Sequence, residues 1–269
     1  MPELPDVEVL RRRFARSGLK RRIDAVDVRT PRILAGASAS AFRDRLTGRR
    51  FREARRYGKR LYCALDRGGW VSMHFGLSGD LRFYKKQEPP PPFARVVIDF
   101  AKGEHVAYTN RRMIGRVEWV DDMATDVRAK KLGPDALDPR FTLAAFQRAL
   151  AARRGGIKSV LMDQHVLAGI GNEYSDEILF QCGVHPLTPL PALGERTRAK
   201  LYGAMRKILT RAIAAGAQPE RLPKNFLIPR RRAGEICPRC GGRVRRLAVE
   251  GRSSYFCPRC QPQARAVRN

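Results

Sequence analysis

Three residues at the start of the chain, Met1-Pro2-Glu3, set a secondary amine beside a carboxylate once Met1 is removed. A secondary amine attacks an electrophilic sugar carbon and becomes an iminium ion. That ion is an electron sink, so neighbouring C–H bonds turn acidic and elimination follows. An α-amino group titrates at about 7.7–8.0 in the absence of perturbation, so a useful fraction is neutral at physiological pH. A lysine would need a large depression to match it. Glu3 is placed to move protons at the same sugar. A Met-Pro start alone carries no catalytic meaning, so the rest of the chain has to supply the context.

A second constellation lies near the other end. Cys237 and Cys240 form one CxxC knuckle, Cys257 and Cys260 another, and sixteen residues separate them. Four thiolates at that spacing close a tetrahedral site on one Zn2+, and four protein ligands leave no open position, so the metal is structural. The stretch between the knuckles, GGRVRRLAVEGRSSYF, alternates like a β-hairpin, with Arg252 near its tip. Cys63 and Cys182 sit in apolar settings and read as core residues.

Both constellations belong to a strongly basic chain. Its 269 residues carry 54 Lys and Arg against 26 Asp and Glu, a formal charge of +28. Such a surface favours a polyanion, and its arginines fork onto phosphate better than lysines do. Nucleic acid is the leading partner. No apolar run reaches the ~18 residues of a membrane span, and the start lacks a secretory signal. The expectation is a cytoplasmic monomer, associated with the nucleoid if bacterial, whose cysteines stay reduced.

The elements that must position these residues follow from periodicity. PDVEVLRRRFAR (5–16) reads as a helix with Pro5 and Asp6 in its first turn, ended by Gly18. From residue 22 short alternating stretches follow one another: RIDAVDVR, KRLYCALD, GWVSMHFG, DLRFYKK, ARVVIDF, EHVAYTN and RVEWV. That pattern predicts a β-sandwich or barrel, with EPPPP (88–92) as a stiff loop between strands. After Trp119 the pattern turns helical, at TLAAFQRAL (142–150) and from Glu195 to Ala214. Between them, LMDQHVLAGIGNEYSDEILF predicts two short helices separated by a tight glycine turn, the second beginning at Asn172 and Glu173. Such a unit can grip a phosphate. Residues 216–235, rich in Pro and Arg, read as a loop.

In this order, MPELPDVE, the Lys-Arg of YGKRLY, HFGLSG, YTNRRMIG, LGPDAL, LMDQHVLAGIGNEYSDEILF and RSSYFCPRCQ resemble the formamidopyrimidine-DNA glycosylase and endonuclease VIII family over essentially the whole length. PELP favours the formamidopyrimidine branch. The resemblance implies an α+β fold of two domains, with an N-terminal β-sandwich and leading helix, then a C-terminal helix-two-turn-helix bundle and a four-cysteine zinc-finger β-hairpin. The boundaries expected are 1–120 for the catalytic sandwich, 121–135 for a linker, 136–222 for the helical domain and 223–269 for linker and finger. It also implies removal of oxidised bases from damaged double-stranded DNA in base excision repair, then strand cleavage by β- and δ-elimination.

Residue by residue, the resemblance makes Pro2 the nucleophile and Schiff-base former at C1′, and Glu3 the acid and base that opens the sugar. Lys59, in a glycine-flanked turn, would assist β-elimination, and Arg252 would bind phosphate during δ-elimination. Lys158, Asn172 and Arg154 fall at phosphate-gripping positions, and His74 in HFGLSG joins the DNA contacts. Leu77, Arg112 and Ile114 occupy the places of the residues that fill the gap left by an extruded nucleotide. Asp6 and Glu177 stand where the family carries acids near the amine, roles that structural salt bridges fit equally well.

The chain departs from the pattern at several points. The family's aromatic in DPRRFG is Ile114 here, its methionine in HLGMSG is Leu77, and its histidine in the HDH stretch is Phe93. The segment between the last long helix and the knuckles is also much shorter. In the formamidopyrimidine branch that segment supplies a glycine-rich loop over extruded 8-oxoguanine, so trimming it predicts reduced 8-oxoguanine excision with the amine chemistry retained. The alternative class is a non-catalytic, zinc-containing damaged-DNA-binding protein. The intact Pro2, Glu3 and Lys59 argue against it.

Overall fold

The computed structural model describes residues 2–263; Met1 and residues 264–269 lie outside. The chain divides into two compact units, Met1–Lys131 and Leu132–Asn269.

The first unit opens with helix α1 (Leu4–Ser17). Glu3 is its N-cap, and Asp6 closes a capping box by accepting the Glu3 backbone N–H at 2.8 Å. Pro5 suits the first turn, where its missing N–H has no helical partner to lose. Strands β1 (Ile23–Val28), β2 (Leu34–Ala35), β3 (Phe51–Tyr57), β4 (Arg60–Leu65), β5 (Trp70–His74), β6 (Gly79–Lys85), β7 (Ala94–Phe100), β8 (Glu104–Asn110) and β9 (Arg116–Val120) form two sheets, with helix α2 (Ala39–Leu46) between β2 and β3. One sheet has the order β1-β7-β8-β6, the other β2-β9-β5-β4-β3. All pairings are antiparallel except β2 with β9.

Alternation along the strands sends Ile98, Val106 and Leu81 from one sheet, and Leu61, Val71 and Met73 from the other, into a shared core. Val7, Leu10 and Phe14 of α1 complete it. Phe14 meets Phe51 edge-on at 5.1 Å between ring centroids, a contact worth about 0.5–1.5 kcal/mol beyond the area buried. Within residues 121–135, read as a linker, lies a short helix. In α3 (Met123–Ala129), Asp126 accepts the buried Tyr62 hydroxyl at 2.8 Å, and Lys130 just beyond pairs with Glu118 at 3.1 Å. These bonds tie the segment to the outer face of β4 and β9.

The second unit contains α4 (Leu143–Ala151), α5 (Ile157–Met162), α6 (Asn172–Cys182) and α7 (Glu195–Ala214), then the hairpin β10 (Arg245–Val249) and β11 (Arg252–Phe256). Helix α6 is buried along nearly its whole length and ends at Gly183, whose φ of +71° suits glycine. No described helix is long and apolar enough to cross a membrane.

Candidate active site and metal centre

In the first unit the contacts of α1 run antiparallel to β3. Phe14 lies on Phe51, Arg11 donates to the Ala54 carbonyl at 3.4 Å, and Glu8 pairs with Arg56 at 3.5 Å. The start of α1 therefore points to the Gly58-Lys59 turn joining β3 to β4. Pro2 is half-buried, while Glu3 is buried at the positive end of the helix. Pro2, the Glu3 carboxylate and Lys59 thus share one end of the sandwich.

Sheet register adds the remaining candidates to that end. Arg60, which follows Lys59, stands opposite His74, and His74 stands opposite Arg116. Burial, together with the Arg60 and Lys59 charges, holds the His74 imidazole down at about 4, so it is neutral at physiological pH. Beyond His74 the 75–78 loop carries Leu77, and the 111–115 loop carries Arg112 and Ile114. Ser78 Oγ accepts the Arg112 N–H at 3.1 Å and links the two loops.

Their backbones are in direct contact. A Cβ on Gly76, whose φ is +58°, would lie 2.7 Å from the Gly115 nitrogen, and one on Gly115 would lie 1.9 Å from the Tyr108 hydroxyl. Under the loops, Tyr108 donates to the His74 carbonyl at 2.7 Å, and the buried Asn110 Nδ2 donates to the Phe75 carbonyl at 3.1 Å. Tyr108 and Asn110 had no assigned role in the sequence, although both lie within YTNRRMIG. Their signal was polar side chains at the end of an alternating strand.

The second unit brings Arg154 and Arg252 to one groove of about 460 Å3, together with Arg153, Met162, Gln164 and His165. Gln164 organises the loop beneath. It donates to the Met162 and Ile170 carbonyls at 2.7 and 2.8 Å and accepts the Gly169 N–H at 3.0 Å. The sequence reading put a tight AGIGN turn directly between two helices. Helix α5 in fact ends at Met162, and residues 163–171 form a longer, glutamine-stapled loop.

Two expected phosphate contacts are placed differently. Lys158 is fully buried, ion-paired with the equally buried Asp176, and donates to the Asn172 carbonyl at 3.3 Å. With its ammonium enclosed, Lys158 holds α5 to α6 and presents nothing to solvent. Asn172 Nδ2 donates to the Ser253 carbonyl at 2.9 Å, which fastens the finger to α6 beside Arg252. Asp176, missed in the sequence, also accepts from Arg231 Nε at 2.8 Å, Ser254 Oγ at 2.6 Å and the Tyr255 N–H at 3.0 Å. An acid inside the apolar run of α6 was the available signal. Glu177 accepts the Ile228 N–H at 2.9 Å and Gln181 Nε2 at 2.7 Å, and burial pushes it up to about 7. In this unit its role is to anchor the 216–235 segment.

Cys237, Cys240, Cys257 and Cys260 place their sulfurs within 4.8 Å of one another, with Cys237–Cys260 at 3.8 Å and Cys240–Cys257 at 3.5 Å. A tetrahedral zinc with bonds of about 2.3 Å needs sulfurs about 3.8 Å apart, so the thiols fit one Zn2+. Cys237 and Cys257 share their small core with Phe180, Leu227 and Val244. So little apolar area cannot order the hairpin alone, and metal affinity becomes folding energy. Chelation, or Cys257→Ser, is expected to abolish amide-exchange protection across β10 and β11. Protection that persists after verified metal removal would contradict this.

Comparison with known proteins matches three parts of the chain to family models. Residues 1–117 match the family model described as formamidopyrimidine-DNA glycosylase N-terminal domain, 132–223 the H2TH domain of the same enzymes, and 234–263 the zinc finger found in FPG and IleRS. A formamidopyrimidine-DNA glycosylase of Salinispora arenicola is 38% identical over 282 residues, covering 98% of both chains. One from Desulfitobacterium hafniense is 34% identical over 274 residues, covering 97% of this chain and all of the relative. Among solved structures, the Lactococcus lactis enzyme bound non-covalently to DNA containing an AP site has a TM-score of 0.87 at 28% identity. MutM in complex with DNA containing carbocyclic 8-oxoguanine has a TM-score of 0.88 at 28% identity. Each covers 97% of this chain and is itself covered completely.

Proposed function

Because the chain belongs to the formamidopyrimidine-DNA glycosylase family, we propose that it is a bifunctional glycosylase and abasic-site lyase of base excision repair that works through a Schiff base on Pro2. The convergence of the α1 start with the Lys59 turn carries this reading, since it assembles amine, carboxylate and ammonium at one end of one domain. Pro2 attacks C1′ as the bond to the damaged base breaks, and Glu3 protonates the sugar as it opens. The resulting iminium acidifies the C2′ proton; its loss expels the 3′ phosphate, and a second elimination expels the 5′ phosphate. Lys59 assists the first elimination. Arg252, which shares a groove with Arg153 and Arg154, neutralises phosphate through the second. Leu77, Arg112 and Ile114, on their paired loops, fill the place of the extruded nucleotide. Borohydride reduction on abasic-site DNA tests the reading: the enzyme becomes covalently linked, whereas a pure damaged-DNA binder stays free.

The same proposal includes lesion choice. Phe226, Leu227 and Ile228 of the shortened segment are buried, and Glu177 and Arg231 bind that segment to α6. Chain held in this way is not available to cover an extruded 8-oxoguanine. One or two lost hydrogen bonds, at about 1 kcal/mol each, correspond to roughly a ten-fold lower rate. Single-turnover excision is therefore expected to be about ten-fold slower for 8-oxoguanine than for a formamidopyrimidine lesion. Equal rates would remove the lesion assignment and leave the amine chemistry standing.

A further inference from the structure

Large apolar side chains exposed to solvent are few among the described residues, and three of the five gather at the active end of the sandwich. Ile114 is 53% exposed, Phe93 51% and Leu77 39%. They stand on three hydrogen-bonded segments. The Asn110 N–H donates to the Phe93 carbonyl at 3.1 Å, and the Arg112 N–H donates to Ser78 Oγ at 3.1 Å. Phe93 is thus attached to the strand end from which the Arg112–Ile114 loop departs. Exposed apolar side chains brought to one end of so basic a surface mark a contact site.

Phe93 is unusual in its backbone as well. Its φ is +61°, a left-handed conformation that a bulky residue adopts at a cost and that glycine would adopt freely. Prolines 89–92 stiffen the approach to it, and the Ala94 N–H closes a turn on the Pro91 carbonyl at 3.3 Å. The ring has no place in the core. Its neighbour is the Arg95 guanidinium, 5.9 Å from its centre, and Arg95 is itself held by the Asn110 carbonyl at 3.0 Å. A strained backbone that presents an exposed aromatic under a fixed cation is a feature kept for contact rather than for folding.

We propose that Phe93 is a base-stacking residue, which lays its ring on a nucleobase unstacked at the lesion and supplies the aromatic face that Leu77 and Ile114 lack. Arg95, fixed beside it, adds a cation to the same surface. Stacking of this kind needs only a π-face, so it tolerates any base. It depends on the gap: an intact duplex exposes no base face.

The proposal rests on the glycosylase reading, and the test separates the two. Zinc-loaded, full-length protein is titrated with a duplex carrying a tetrahydrofuran abasic analogue and with the intact duplex, across a range of salt. Phe93→Ala is expected to bind the abasic duplex about ten-fold more weakly with an unchanged salt slope, because no phosphate contact is lost. Its affinity for the intact duplex is expected to stay level, and Phe93→Trp to restore abasic binding. Phe93→Gly relieves the backbone, so its melting temperature is expected to match or exceed wild type while it binds as weakly as Phe93→Ala. Wild-type affinity in the Ala and Gly variants, or a loss accompanied by a flatter salt slope, would overturn the stacking role. Failure of the wild type itself to bind abasic DNA or be trapped on it would instead sink the glycosylase reading.

Discussion

Placing one extra residue ahead of Pro2 is expected to eliminate borohydride trapping on abasic-site DNA and to lower strand incision by about a thousand-fold or more, the scale on which losing a covalent nucleophile acts. The added residue turns the secondary amine into an amide, which has no nucleophilic lone pair and cannot form an iminium ion. Pro2→Gly is the milder variant. It keeps an amine but loses the ring, and it frees the backbone next to the capped start of α1, so the amine is no longer held in one orientation. Incision should fall in this variant too. The helix begins beyond Pro2, and Asp6 caps it through the Glu3 N–H, so neither change removes a core contact. Melting temperature and zinc content should therefore match wild type, which separates lost chemistry from lost fold. Undiminished incision by the extended protein would exclude Pro2 as the nucleophile.

The parts of the molecule that were readable in the sequence are those whose side chains report their own surroundings. Strands β1 and β4 to β9 alternate apolar residues and appear close to where periodicity put them. The last long helix spans Glu195–Ala214 as read. β3 escaped because FREARRY is dominated by charge; only Phe51 and Ala54 turn inward, and its partner strand and α1 make it a strand. α2 escaped for a similar reason, with only Phe42 and Leu46 buried over eight residues. The residues proposed for the chemistry were legible only through the family resemblance, because they stand at turns and strand ends, where periodicity assigns no role. The supports were not. Tyr108, Asn110 and Gln164 act by bonding backbone atoms of other segments, and no spacing rule reveals which carbonyl a side chain will meet. Lys158 is the sharpest case, because its burial depends on an acid eighteen positions away in the chain.

That pairing gives the second large effect. Asp176→Ala is expected to destabilise the C-terminal unit by about 3–5 kcal/mol, because the Lys158 ammonium would remain buried with its counter-charge gone. The loss should appear as a fall in melting temperature of about 10–17 °C for a unit of this size. Arg231, Ser254 and the Tyr255 N–H lose an acceptor in the same substitution, so the finger should loosen from α6 along with α5. Adding Lys158→Met to Asp176→Ala removes the stranded charge and should restore part of the stability, a rescue that a simple loss of packing would not show. Lys158→Met alone decides the role of that lysine. If the ammonium serves the interior and not DNA, the variant loses little stability, since Asp176 keeps three other donors, and the salt slope of DNA binding is unchanged. A lysine that reached a phosphate would instead lower the slope by about 0.9. Full stability of Asp176→Ala, or that change in slope, would return Lys158 to the DNA-binding surface and remove it from the interior that holds α5, α6 and the finger together.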